Sequence, residues 1–374
     1  MALTKYRVGD LITVVDERNS DGIKDFYGIN INKEFMPTVA NTEGLDESKY
    51  KVIRKNRFVF SGMQTGRDEC IRISMYTKSS PILVSPAYTT FEVTATDVVI
   101  PMYFFLCFLS HEKDRFGAFL SDGSIRSNLD WPVFCDIELS LPSLSIQRKY
   151  VDIYNAMLAN QQVYERGLDD LKLVCDGYIE DLRRKTPCEK IGDYLITSDR
   201  RNSIGLDVNA VRGIATSKEL ISTKADMDGV GLTNYKLVPP QHIAYVPDTS
   251  RRGDKISLAM NRSQETYMVS SISTVFTTNA AKVLPEYLML FFTRTEFDRY
   301  SRFNSWGSAR EAFEWDAMCD FAIPIPEISV QKAITEIFTV YNQRKEINEK
   351  LKSQIKGICP ILIKGSLEEA KKEA

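Results

Sequence analysis

The chain has 374 residues, 43% hydrophobic and 26% charged, which is enough for two domains with cores of their own. Its net charge is −2 at pH 7, so no basic excess points to nucleic acid, and a DNA-binding surface would have to gather its cations on one face. The start has no apolar signal core before Tyr6 and Arg7, and the longest apolar run, 98–109, is too short to span a bilayer and contains Pro101. The seven cysteines show no C-x-x-C spacing, which fits reduced thiols in a cytoplasmic protein and no metal site. Two histidines, His111 and His242, leave little for imidazole catalysis, and no glycine-rich phosphate loop or acid–x–Lys nuclease spacing is present. No catalytic residue is expected.

In chain order the elements come twice, displaced by about 184 residues. VGDLITVVDERN at 8–19 meets IGDYLITSDRRN at 191–202, and KYKVIRKNRFVF at 49–60 meets NYKLVPPQHIAY at 234–245. LVSPAYTTFEV at 83–93 meets MVSSISTVFTT at 268–278. These segments are rich in β-branched and aromatic residues and predict strands. IPMYFFLCFLSHEKDRFGAF at 100–119 meets LPEYLMLFFTRTEFDRYSRF at 284–303, with helical spacing of apolar residues and Pro101 and Pro285 suited to a first turn. DGSIRSNLDWPVFCDI at 122–137 meets WGSAREAFEWDAMCDF at 306–321. Trp131 and Trp315, Cys135 and Cys319, and Tyr103 and Tyr287 are expected in equivalent cores. Gly123–Ser124 and Gly307–Ser308 are expected to form turns. Arg126 and Arg310, just beyond them, are open between structural pairing and phosphate contact.

Each repeat then ends in a long helix. LSLPSLSIQRKYVDIY at 139–154 matches IPIPEISVQKAITEIF at 323–338, with Ser145 and Ser329 as expected N-caps. In the first helix Tyr150, Tyr154, Met157, Gln161, Tyr164, Leu168, Leu171, Cys175, Tyr178 and Leu182 step by four and three, a heptad seam with a polar residue at its middle. The second helix reads Ile334, Ile337, Tyr341, Arg344, Asn348, Leu351, Ile355, Ile358 and Leu362, and Gly357 and Pro360 are expected to break or kink its last turns before a solvated tail. Helix one leaves one domain and arrives at the other, so helix two must run back along it. The expected fold is α+β: two similar globular domains separated by an antiparallel two-helix coiled coil, pseudo-two-fold symmetric. At 1.5 Å rise per residue, roughly 40 residues span about 60 Å, and symmetric DNA readers place their units roughly 34–36 Å apart. The rod would act as a ruler between two heads.

The run Gly-Ser-x-Arg, an apolar pair, alternating apolar residues, Pro, then Gln, carried by Gly123–Ser124 through Gln147 and by Gly307–Ser308 through Gln331, resembles the end of a target-recognition domain in the specificity subunits of type I restriction-modification systems. Val8-Gly9-Asp10 and Ile191-Gly192-Asp193 resemble the start of such domains; the family's Glu before that Gln is Ile146 and Val330 in this chain. The resemblance covers nearly the whole chain. It implies target-recognition domains at 1–143 and 186–327, a spacer helix at 144–185, and a second spacer helix with tail at 328–374. It further implies a subunit inactive alone that reads a bipartite target in double-stranded DNA, one half-site per domain. Two modification subunits would methylate adenine with S-adenosylmethionine, and two motor-nuclease subunits, where present, would cut with ATP and Mg. No cofactor would bind this chain. Three alternatives stand beside this reading: the specificity subunit of a methylation-only complex, a symmetric scaffold that bridges two proteins without touching DNA, and an enzyme with an unfamiliar site at the domain–coil junction, which the few histidines and the lack of clustered carboxylates disfavour.

Residues that differ between the repeats are where sequence preference should live, because identical heads would read identical half-sites. Arg, Lys, Asn and Gln read base edges. The candidates are Arg18, Asn19, Gln64, Arg67 and Arg72 in the first domain and Arg200, Arg201, Asn202, Arg251, Arg252 and Lys255 in the second, with Arg126 and Arg310 beside them. GMQTGRDE at 62–69 and PDTSRRGD at 247–254 occupy matching positions with different side chains; Arg67 and Arg252 recur, which suits phosphate or scaffold contact.

Overall fold

The structure, a computed structural model, describes residues 3–39, 41–223, 225–249, 255–307 and 311–373. The first repeat runs β1 (Thr4–Arg7), α1 (Val8–Leu11), β2 (Ile12–Val14), β3 (Phe26–Ile29), β4 (Phe35–Pro37), β5 (Lys51–Ile53), β6 (Arg57–Ser61), α2 (Thr65–Asp68), β7 (Arg72–Met75), β8 (Ile82–Val84), β9 (Thr89–Val93), α3 (Pro101–Cys107), α4 (His111–Phe119), α5 (Trp131–Cys135), β10 (Glu138–Leu141) and α6 (Leu144–Lys185). The second runs β11 (Cys188–Lys190), β12 (Leu195–Ser198), β13 (Arg212–Ile214), β14 (Leu220–Ser222), β15 (Lys236–Val238), β16 (Ile243–Tyr245), β17 (Leu258–Met260), β18 (Tyr267–Val269), β19 (Thr274–Thr278), α7 (Pro285–Phe292), α8 (Thr295–Phe303), α9 (Trp315–Cys319), β20 (Ala322–Pro324) and α10 (Ile328–Lys372). A 3₁₀ turn at Ile191–Tyr194 stands where the first repeat has α1. The chain divides into two units, Met1–Val163 with Ile347–Ala374, and Tyr164–Glu346.

In the first unit an antiparallel sheet of order β2-β9-β6-β7 lies beside a mixed sheet of order β4-β3-β8-β5. The period-2 alternation of β6 sends Phe58 and Phe60 to a core with Phe104, Phe108 and Phe134 of the helices, and Val59 to a core with Ile53, Ile82 and Val84 of the other sheet. In the second unit the sheet β12-β19-β16-β17 does the same: Ile243, Tyr245 and Phe276 meet α7 to α9, while Ala244 and Val275 meet Val238 and Val269. Pro101 and Pro285 occupy the first turns of α3 and α7, whose helices are buried almost all round. Tyr103 and Tyr287 are fully buried, and Trp131 and Trp315 are half-buried against Phe134 and Phe276. The glycines of the two Gly-Asp pairs are explained by the two cysteines: a Cβ on Gly9 would stand 3.1 Å from Cys135 Cβ, and one on Gly192 2.8 Å from Cys319 Cβ.

The helix starts differ from expectation. α6 and α10 begin at Leu144 and Ile328, so Ser145 and Ser329 lie inside the first turn and are not N-caps. The tie is made instead by two buried glutamines. The Ile100 N–H donates to Gln147 Oε1 at 2.9 Å, and Gln147 Nε2 donates to the Val98 and Pro142 carbonyls. Gln331 does likewise with the Leu284 N–H and the Lys282 and Pro326 carbonyls. Each satisfies three backbone groups where a strand end, a loop and a helix start meet, groups that would be costly to bury unpaired.

Within the first unit the start of α6 lies antiparallel to the end of α10. Lys149 and Tyr150 bond Glu369, while twelve residues on along α6 Gln161 Nε2 donates to Asn348 Oδ1 at 3.0 Å. Tyr154, Gln161, Asn348 and Ile355 are buried, and Met157 and Leu351 half-buried. Within the second unit Arg344 lies over the Tyr164 ring, Leu168 and Leu171 are half-buried, and Cys175, Ile179 and Leu182 join a core with Ile334 and Phe338. The strict heptad slips by one residue where the helices leave each other for a domain. Ile179 is buried in place of Tyr178, Phe338 more deeply than Ile337 and Tyr341, and Cys359 more deeply than Ile358. A straight helix lying on a globular core follows 3.6 residues per turn, whereas the heptad assumes 3.5. The expected break at Gly357 and Pro360 is absent: α10 continues to Lys372, with Ser366 and Ala370 buried. Packing offsets the hydrogen bond lost at Pro360.

Candidate nucleic-acid interface

The first-unit candidates around residue 64 are brought together by two interlocked loops. β6 ends at Ser61, just before Gly62, and Gln64 and Glu69, both left-handed, flank the single turn α2. The Leu129 N–H donates to the Gly62 carbonyl at 2.8 Å, the Gly66 N–H to the Ser127 carbonyl at 2.9 Å, and the Gln64 N–H to Asn128 Oδ1 at 3.1 Å. The contact admits only glycine: a Cβ on Gly62 would lie 1.9 Å from the Leu129 carbonyl oxygen, and one on Gly66 1.9 Å from Ser127 Oγ. Along the outside runs a chain of side chains. Arg67 Nη2 donates to Gln64 Oε1 at 2.7 Å and its Nε to Asp68 Oδ1 at 3.0 Å; Arg72 pairs with the other Asp68 oxygen. Arg67 first, then Arg72, hold the Asp68 carboxyl below the usual range against the opposing effect of burial. The partner loop is set by Asp122, whose Oδ1 accepts from Ser124 and from the Asn128 N–H, and it presents Arg126 exposed and Ile125 fully exposed. Gln64, Arg67, Arg72 and Arg126 therefore share one edge.

Arg18 and Asn19 lie elsewhere in the same unit, and their side chains are engaged. Arg18 donates to the Lys49 carbonyl and to Asp16, and Asn19, 8% exposed, both donates to the Ile23 carbonyl and accepts from its N–H. Arg201 and Asn202 repeat this with the Asn234 carbonyl, Asp199 and Leu206. Lys236 and Arg201 hold Asp199 below the usual carboxylate range; at Asp16 burial opposes the same effect of Arg18 and Lys51. These four residues brace the entry to each domain with the same bonds. Arg200 and Lys255 are exposed. Arg251, Arg252 and Arg310 lie outside the described residues.

A pair not singled out from the sequence stands behind both loops. Lys33, left-handed and buried at a hairpin tip, donates to Asp114 Oδ1 at 2.6 Å and to the Phe108 carbonyl, and the same Asp114 oxygen accepts from the Ile71 N–H. Lys218, also left-handed, pairs with Asp298 at 2.5 Å and donates to the Ile256 carbonyl, and Asp298 accepts from the Ile256 N–H. Each aspartate pins the residue where a candidate loop returns to the sheet. Burial lowers the Lys218 pKa against the pull of Asp298. The signal was available, since Lys and Asp recur at the common displacement. Among the described residues no group of three His, Cys, Asp or Glu could hold a metal ion, and no helix is long and apolar enough to cross a membrane.

The geometry defines a class of protein built from two versions of one α+β unit that share the same buried braces. Residues 230–357 match the family described as the type I restriction modification DNA specificity domain. The chain is similar in fold, end to end, to the type I restriction-modification S subunit from M. genitalium: TM-score 0.61 at 11% identity, covering 98% of this chain and 96% of that one. The HsdS subunit from Thermoanaerobacter tengcongensis matches at 13% identity, covering 99% and 96%, with a TM-score of 0.34. A chain from a structure on complex assembly and conformational transition of the type I R-M system matches at 11%, covering 98% of each, with a TM-score of 0.43. Neither of these two scores bears weight on the fold. No curated protein matches the chain.

Proposed function

We propose that this chain is the non-catalytic specificity subunit of a type I restriction-modification assembly, reading a bipartite DNA target with one half-site per repeat. One observation carries the reading: the two repeats root their candidate loops on the same buried Lys–Asp pair, yet the loops carry different side chains. A fixed root with a variable tip suits two readers of different short sequences on one frame. On this reading Gln64, Arg67, Arg72 and Arg126 contact one half-site and Arg251, Arg252, Lys255 and Arg310 the other, while Arg18, Asn19, Arg201 and Asn202 brace the domains.

The long helices α6 and α10, 42 and 45 residues, form the antiparallel spacer between pseudo-two-fold related heads on this reading. Two modification subunits supply S-adenosylmethionine and adenine methylation in the cytoplasm, and motor-nuclease subunits with ATP and Mg add cleavage where they exist. The test is to map methylated adenines across a genome with and without this chain, its modification subunit present throughout. A bipartite motif that appears only with the chain is expected. Methylation that is identical in both would leave the protein-bridging scaffold as the better reading.

A further inference from the structure

We infer that α4 and α8 each present a docking face for one copy of the same partner protein, recognised through an exposed Arg–Phe pair; the inference rests on the reading that two identical modification subunits bind this chain. Arg115 and Phe119 on α4, and Arg299 and Phe303 on α8, are spaced i, i+4 and so share a helix face. Phe119 is 82% exposed and Phe303 78%. Arg115 is exposed, and Arg299 makes only a loose pair with Glu296 at 3.8 Å on the surface. Besides this pair the helices HEKDRFGAF and TEFDRYSRF share only a glutamate, Glu112 and Glu296, the latter paired with Arg294, and an aspartate that is already the buried loop staple.

Two unlike half-sites cannot be distinguished by identical residues, and a phenyl ring offers nothing to a phosphate. An exposed Arg–Phe pair kept at matching positions of two otherwise different helices fits a partner that meets both repeats through that pair. Arg and aromatic residues are the types that dominate such interfaces. The first unit also shows what the partner must offer. Beside Phe119 opens a groove of about 1150 Å³ floored by Phe116, Leu120, Ile363 and Leu367. Of the charges in its wall, Asp136 and Glu138 pair with Arg7 and Lys5 and Lys364 with Glu368, which leaves Lys113 and Arg115 set against Glu112. An apolar floor under a cationic rim is complementary to an amphipathic helix with Asp or Glu beside its apolar stripe, and we assign that helix to the modification subunit.

The experiment mixes the full chain with its purified modification subunit and reads stoichiometry by native mass spectrometry and affinity by titration, with F119D, F303D and the double variant. Two copies are expected on the parent chain, one on each single variant, and none on the double variant, with affinity at an altered site falling at least about thirtyfold. Phe119→Tyr and Phe303→Tyr should restore binding, and because both rings are exposed, thermal melts of all variants should match the parent. Two copies at parental affinity on the double variant would overturn the inference. So would a double variant that keeps both copies but loses affinity for duplex DNA, which would hand the face to DNA. A parent chain that binds no modification subunit would instead strike down the underlying reading.

Discussion

At the scale of single residues, the chain repeats several buried polar side chains, Asn19 with Asn202, Gln147 with Gln331 and the Lys–Asp pair among them. Lys218 and Asp298 are 7% and 9% exposed, so removing one partner strands a buried charge. Asp298→Ala should cost roughly 3–5 kcal/mol by chemical denaturation, and a double replacement by Leu and Met should recover only part of it, because the Ile256 N–H and carbonyl then lose their partners. Glu17 accepts from Arg54 at 3.0 and 2.6 Å and from Arg57, and chiefly the Arg54 bond holds its carboxyl below the usual range. Its contribution is therefore present above the ordinary value of about 4.3 and is lost as pH falls through the lowered folded value. Glu17→Gln should flatten the stability profile below about pH 4.3, as read by melts at stepped pH. For readout, Gln64→Ala should alter preference at one half-site only. Arg252→Ala should weaken binding to every sequence and reduce the salt slope by about 1. Unchanged methylation patterns in both would remove these loops from the reading edge.

At the scale of elements, the helix pair shows why polar residues interrupt an apolar seam. Gln161 and Asn348 are 7% and 2% exposed and bond each other. Gln161→Leu alone leaves the Asn348 amide short of a partner and should cost about 1–3 kcal/mol, whereas Gln161→Leu with Asn348→Leu should be near neutral or stabilising. The pair contributes register more than stability, since slipping α10 by one residue would bury an unmatched amide. The slip from Tyr178 to Ile179 belongs to the same element. Heptad counting assumes a partner helix along the whole length, and near its end α6 has a domain core instead.

At the scale of the whole molecule, the proposed function depends on duplication. Four residues inserted at facing positions of both helices add about 6 Å and should lengthen the gap between methylated half-sites by about two base pairs at 3.4 Å each. An unaltered gap would refute the ruler. Inserting into one helix alone should instead misalign the Gln161–Asn348 layer and lower the melting temperature.

The sequence by itself determined the repeat, the element order, the proline-led helices α3 and α7 and the long helices α6 and α10, because these rest on local periodicity and on comparing the chain with itself. It also placed Gln64, Arg67 and Arg72 on one short segment, though not their meeting with the loop of Arg126. Only the tertiary structure decided which polar residues are brace and which are tip. Arg18 and Asn19 read as base contacts by residue type, yet their donors are spent on backbone carbonyls of their own domain and on Asp16. Lys33 and Asp114 are not singled out from the sequence, yet they are paired behind the loop they support. Hydrogen-bond partners many residues away leave no local trace in a chain, so burial and pairing, not residue type, settle the role of a polar side chain.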